Sequence, residues 1–256
     1  MPLDFTYRAF EAFCQHVTQN TVFTLADTLS RPAQLPARSV ILRVDVDYRE
    51  AHAVDLARIA AHYHLRGSFY FRHRSGHFDL DAMSAVAGLG HEVGYHFETL
   101  DTCRGDFAQA ESLLLEHLRT LREAGFTVRT VAAHGAVPTA PTYQANFDLF
   151  TRVPDLCTRA GLLGEATLSV DFARLIYCSD AAWRWRRYEH TAPGTAGTPT
   201  SLPAIMDGLA RPDAALYINF HPQQWFARPV RMLYFRARNR IGRRVLSSIR
   251  RRQSTS

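Results

Sequence analysis

Residues 39–48, SVILRVDVDY, decide how this chain is read. Val40, Ile41, Leu42, Val44 and Val46 make a β-branched, apolar run of strand length, which predicts a buried strand. Two acids, Asp45 and Asp47, close it. Ionised carboxylates at a buried strand end are costly unless a cation, a proton or a partner compensates. Alternate residues of a strand share a face, so both carboxylates point into one space. The pair therefore marks a candidate site. The bland alternative is a strand-end pair that caps the following loop.

Strands and helices alternate on either side of this stretch. Residues 4–18 place Phe5, Phe10, Phe13 and Val17 near helical spacing, and residues 30–38 are a proline-punctuated connection. After Asp47, the residues Leu56, Ile59, Ala60 and Tyr63 lie at i, i+3, i+4 and i+7, which predicts a helix ended by Gly67. SFYFR (68–72) is a second strand. Asp79 is the expected N-cap of a helix through Leu89, and HEVGYH (91–96) opens a third strand. Residues 106–124 give the clearest helical stripe, and TVRTVAA (127–133) is a strand leading into His134. Residues 147–163 read as helical, RLIYCSD (174–180) and ALYINF (215–220) as strands, and 191–203 as a loop. The β-α-β-α-β-α-β alternation predicts an α/β domain with a parallel sheet or barrel. Asp45, Asp47, Arg72, His96, His134, Asp180 and His221 then all fall at strand ends. In parallel α/β folds the carboxyl ends share one face, where chemistry is built.

Composition narrows the class. A chain of 256 residues with 46 % hydrophobic and 21 % charged residues is a folded globular protein rather than a disordered or fibrous one. No apolar run approaches a membrane span. The first residues show no secretory pattern, and Cys14, Cys103, Cys157 and Cys178 have no metal-like spacing. The expectation is a cytoplasmic protein with reduced thiols. The net charge of +6 is unevenly spread: residues 227–256 hold ten arginines and no acid, and the chain has no lysine. Apolar residues at 233, 237, 241, 245 and 249 recur every fourth position in that segment, as in a basic amphipathic helix. Three readings compete for it: a terminal helix packed by one face on the domain, a helix lying on an anionic membrane surface, where it would be peripheral to the inner membrane, and, last, a nucleic-acid contact. The boundaries expected are a domain over residues 1–226, with its core at 36–226, and a tail over 227–256.

In order, RVDVDY, GSFYF, LGHEVGYHFETLD, AAHG and NFHPQQW resemble the polysaccharide deacetylase family (NodB-homology, carbohydrate esterase 4-like), nearest to its branch with an RHDVD first motif. The resemblance covers about residues 36–226. It implies a distorted (β/α) barrel of about seven parallel strands. It also implies a metal-dependent deacetylase that removes the N-acyl group of an amino sugar, with a glycan or lipopolysaccharide precursor the expected substrate. A divalent metal, most often zinc, polarises the acyl carbonyl and lowers the pKa of its water toward about 7. By resemblance Asp47 and His96 are metal ligands, Asp45 is the general base, His221 is the general acid, and Asp180 orients that acid. Trp183 and Trp185 would line an apolar wall for the acyl group, with Trp225, Arg72 and Glu98 also near the substrate.

Two positions depart from the family pattern. The usual second metal histidine is four residues on from the first, and here that place is Leu100. A catalytic zinc wants three protein ligands. His134 is the expected third, with Glu98 or Asp101 behind it. Val44 stands where the RHDVD branch has histidine, pointing away from Asp45's side of the strand. Other amide hydrolysis on the same fold, or sugar binding without turnover, are the alternatives. His91, Glu92 and His96 spell HExxxH rather than the HExxH of zincins, with the rings about 140° apart on a helix. The strand ending in DVDY also suits an aspartyl nucleophile, but phosphatases of that kind use a lysine that this chain lacks.

Overall fold

The computed structural model describes residues 4–31, 35–36, 38–135, 145–190, 197–209 and 215–239. One sheet of ten strands organises them: β1 (Thr21–Phe23), β2 (Ser39–Val46), β3 (Ser68–Phe71), β4 (Glu92–Phe97), β5 (Thr130–Ala133), β6 (Gly164–Glu165), β7 (Ile176–Ser179), β8 (Arg186–Glu189), β9 (Thr198–Pro199) and β10 (Leu216–Phe220). The spatial order is β6-β5-β4-β3-β2-β10-β7-β8-β9. From β6 to β7 every pair is parallel, while β8 and β9 run antiparallel. β1 pairs with residues 39–41 of β2, ahead of β3, which pairs with residues 43–46.

The expected closed barrel is not what forms. Among the described residues no pair joins β6 to β7, because the outer edge of β7 is taken by the antiparallel β8. The sheet is nevertheless strongly curved. β10 and β6 are five positions apart, about 24 Å along a flat sheet. Yet the Tyr217 phenol on β10 donates to the carbonyl of Ala166, just past β6, at 2.9 Å. Only a sheet curled round on itself brings a tyrosine within that reach.

β2 runs through the middle and is buried on both faces. Val40, Leu42, Val44 and Val46 join the large core shared with Leu56, Ala57 and Ala60 of the helix Glu50–His62 and with Leu114, Leu118 and Leu121 of the helix Phe107–Glu123. Ile41 faces the hollow of the sheet with Phe172, Leu175, Tyr177 and Tyr217. Arg43 and Asp45 share that inner face by the period of two. The crossing from β3 to β5 requires Gly94 on β4. A Cβ there would lie 2.5 Å from the Tyr70 ring and 2.8 Å from the Thr130 carbonyl oxygen, in the path by which the Tyr70 phenol reaches the Thr130 hydroxyl at 2.7 Å.

Asp79 caps its helix as expected, accepting from the Ala82 amide at 3.0 Å. Asp106, which the sequence reading did not single out, accepts from the Gln109 amide at 3.0 Å. Residues 147–163 form two short helices, Asp148–Arg152 and Leu156–Arg159, in place of one, with Pro154 between them. Of the loop expected at 191–203, residues 191–196 lie outside the described residues; Thr198–Pro199 is a strand and Ser201 caps the helix Leu202–Gly208. Residues 229–239 are helical, and the remainder of the basic tail lies outside the described residues. No helix among the described residues is long and apolar enough to cross a membrane.

Candidate metal centre

Three side chains from the carboxyl ends of three strands on one side of the sheet meet at one point. Asp47 follows β2, His96 belongs to β4, and His134 follows β5. Asp47 Oδ1 lies 3.3 Å from His96 Nε2 and 3.5 Å from His134 Nε2. All three ligand atoms are within 4.8 Å of one another. Two donors bound at about 2.0–2.1 Å to a tetrahedral zinc stand about 3.4 Å apart, so these separations match what a cation would impose. Among the described residues, the buried Asp47 Oδ1 has no hydrogen-bond partner. A buried carboxylate oxygen left bare is costly, and a cation would satisfy it.

Each ligand is aimed from behind. His96 Nδ1 is 2.9 Å from the Ala132 carbonyl oxygen, so its proton sits there and the Nε2 lone pair faces Asp47. The amide nitrogen of His134 donates to the Phe97 carbonyl at 2.8 Å, fixing the loop after β5 to β4. Burial, then the charge of His96, push His134 down to about 4, which favours the neutral, ligating imidazole. The second oxygen of Asp47 accepts from Gln223 Nε2 at 2.5 Å.

The other expected residues surround this point. Asp45 is 3 % exposed and held from both sides: Arg43 donates Nε to Oδ1 at 2.8 Å and Nη2 to Oδ2 at 2.9 Å, and Asn219 Nδ2 donates to Oδ2 at 2.8 Å. Burial alone would raise its pKa, but Arg43, then His96 and His221, hold the carboxyl well below the usual range. Asp45 Oδ2 still reaches the site, 3.9 Å from His96 Nε2 and 4.0 Å from His221 Nε2. His221 Nδ1 bonds Asp180 Oδ1 at 2.6 Å. Burial would lower that imidazole, but the Asp180 bond and charge overrule it and push it up to about 9. Asp180 Oδ2 accepts from the Trp225 indole at 2.6 Å and from the His221 amide at 3.2 Å.

Glu98 and Asp101 lie behind His134. Glu98 Oε2 is 3.5 Å from His134 Nδ1 and pairs with Arg72. Asp101 acts at one remove: Asn146 donates Nδ2 to Asp101 Oδ2 and to the His134 carbonyl, both at 3.0 Å. Leu100 is buried in the core. The three indoles are also in the core: Trp183 packs on Phe5 and Phe226, and Trp185 on Phe5, Phe220 and Trp225. Trp225 is fully buried, and its contact with the site is its bond to Asp180.

Sequence reasoning passed over Arg43, Asn146, Asn219 and Gln223. Arg43 had a signal, since it lies two residues before Asp45 on the same strand face. Asn219 and Gln223 flank His221 within NFHPQQW, but only the pairing of β10 with β2, far apart in sequence, sets them against β2.

No family model and no curated protein matches the sequence. Among solved structures, two BA3943 mutants described as a CE4 family pseudoenzyme, one of them with restored enzymatic activity, share 13 % identity with it over 75 % of this chain, at TM-scores of 0.42 and 0.39. The chain spans 61 % of the length of each.

Proposed function

We propose that this chain is a divalent-metal-dependent hydrolase that cleaves the N-acyl amide of an amino sugar, with zinc the metal best suited to the donors. The observation that carries the reading is the convergence of His96 and His134 on a buried Asp47 carboxylate oxygen that nothing else among the described residues satisfies. Asp47, His96 and His134 would hold the ion. Such an ion supplies Lewis acidity to an acyl carbonyl and makes water a nucleophile near neutral pH.

The remaining side chains supply the proton traffic. Asp45 is a carboxylate with Oδ2 turned toward the centre, placed to accept the proton of an attacking water. His221 is tied to Asp180 through Nδ1, which leaves Nε2 on the site side to carry a proton to the departing amine. Their surroundings push the acid and the base apart in pKa, as acid–base pairs in hydrolytic sites require. The sugar and its acyl group rest on the motif resemblance.

Zinc titration of the protein and of His134→Ala tests this. One zinc per chain, bound on the order of 100-fold more weakly by the variant, is the expected result. Zinc bound as tightly by His134→Ala as by the parent would remove His134 from the centre. Acyl release from a panel of N-acetylated sugar nucleotides and lipid-linked sugars then tests turnover. Zinc binding without release from any of them would favour sugar binding without catalysis. The observation on that side is Asp45, which its bond to Arg43 makes a weak base.

A further inference from the structure

The helix over residues 229–239 is docked by one face and carries a second apolar face on the opposite side. At about 100° per residue, Met232, Phe235 and Asn239 fall within one arc of about 60°. Met232 is 1 % exposed, and Phe235 and Asn239 are half-buried. The Phe235 ring stacks on Phe226 at 5.2 Å and lies 4.1 Å from the Arg49 guanidinium. Val230, Leu233, Tyr234 and Ala237 occupy the opposite arc. Val230 is 78 %, Leu233 52 % and Tyr234 62 % exposed. Arg231 and Arg238 border that stripe on one side and Arg236 on the other, all exposed. No acid occurs from residue 227 to the end, and six further arginines follow the helix.

We infer that this helix is a docking surface for an anionic lipid bilayer, lying in the plane of the interface. An apolar stripe bordered on both sides by arginines is the pattern of an interfacial helix: the apolar residues enter the acyl boundary and the guanidinium groups reach back to the headgroups. A solvated terminal helix needs its inward face and no outward one. A protein partner would be asked to cover a stripe flanked by cations, of which Arg231 and Arg238 lie on the side away from Asp4 and only Arg236 has that acid near it. Nucleic acid would use the arginines and leave Val230 and Leu233 without a role. An anionic membrane uses both sets of residues. The surface adjoins the candidate centre, because Arg49 contacts Phe235 by its guanidinium and donates Nη1 to the Gln223 carbonyl at 3.2 Å, and the Gln223 side chain holds Asp47.

Co-sedimentation of the full chain with phosphatidylglycerol–phosphatidylcholine vesicles, and with phosphatidylcholine alone, tests the inference without reference to catalysis. Binding to the anionic vesicles, weaker with rising salt and absent on the neutral ones, is expected. Val230→Ser/Leu233→Ser/Tyr234→Ser should lower the partition coefficient more than about tenfold. Arg231→Gln/Arg238→Gln should lower it about thirtyfold, at roughly one kcal/mol per arginine near the surface. All five positions are exposed, and an unchanged circular dichroism melt would verify folding. Equal binding to neutral vesicles, no binding to either, or binding indifferent to the triple serine variant would overturn the inference. So would tight oligonucleotide binding that the serine variant retains while vesicle binding is absent.

Discussion

Replacing Asp45 with asparagine tests whether the inner face of β2 is held together by charge. Asp45 Oδ1 and Oδ2 take two bonds from Arg43, at 2.8 and 2.9 Å, with side-chain exposures of 5 % for Arg43 and 4 % for Asp45. Asparagine keeps the shape, removes the charge, and offers one acceptor where the carboxylate offers two. The guanidinium is then left buried without its counter-ion, which costs about 3–5 kcal/mol when one partner of a buried pair is lost. A chain of 256 residues unfolds with an entropy of about 0.54 kcal/mol per kelvin, so the metal-free protein should melt about 6–9 °C lower. Replacing both partners removes the stranded charge. Arg43→Met/Asp45→Asn should therefore melt above Asp45→Asn, with a positive coupling in the double-mutant cycle. Thermal unfolding followed by circular dichroism in a chelating buffer reads both quantities. An Asp45→Asn melt within about 1 °C of the parent would refute the argument, because it would mean that solvent compensates Arg43. The same result bears on catalysis: loss of activity in Asp45→Asn can be assigned to proton transfer only after its effect on folding is subtracted.

Two further expectations concern residues near the site. Gln223→Leu removes the amide that fixes Asp47 Oδ2, so zinc affinity should fall about 10–100-fold while the melt of the metal-free protein moves little; unchanged affinity would show that Asp47 is oriented without Gln223. Burial, then His73 with its ring 3.9 Å away, push His117 down to about 4, and the Tyr95 phenol lies 2.7 Å from its Nδ1. A folded pKa below the ordinary value of about 6.5 means that the unfolded chain takes the proton first as pH falls. The contribution of this site to stability is then whole above about pH 6.5 and lost between there and about 4. Urea unfolding at pH 7 and pH 5 should show a smaller loss in His117→Phe than in the parent, and equal losses would exclude His117.

Much of the fold was legible because its signals are local. The run from Val40 to Val46, the Asp79 cap and the stripe of the helix Phe107–Glu123 are written in adjacent residues. What was illegible depends on pairing across distance. β1 has three residues and β6 two, too short for a periodic pattern, and exist as ladders on β2 and β5. Closure of a barrel depends on which strand reaches the last free edge. Here the hairpin partner β8 takes it, and nothing local to β7 announces that. The tryptophans illustrate the same limit. An apolar wall at Trp183 and Trp185 is implied by the resemblance alone; their packing against Phe5, and that of Trp225 against Phe5 and Phe10, from the other end of the chain, is written in no local pattern.

The site was more legible than the sheet, because strand ends in a parallel fold converge by rule. Its charges show which acid a cation would take. Arg43 balances Asp45, His221 balances Asp180, and Arg72 balances Glu98. Asp47 is left facing two imidazoles and an amide, with one oxygen bare. On β2 the two acids are equivalent by spacing but not by depth: the Asp45 side chain is 4 % exposed and that of Asp47 is 18 %. The deeper acid is neutralised from within by a residue on its own strand, and the shallower one is not. A chain that needed only a capped strand end would have no reason to bring two histidines from other strands to the Asp47 carboxylate. A cation is the species that such an arrangement stabilises most, since an anion would be repelled by Asp47 and a neutral ligand would leave its charge buried.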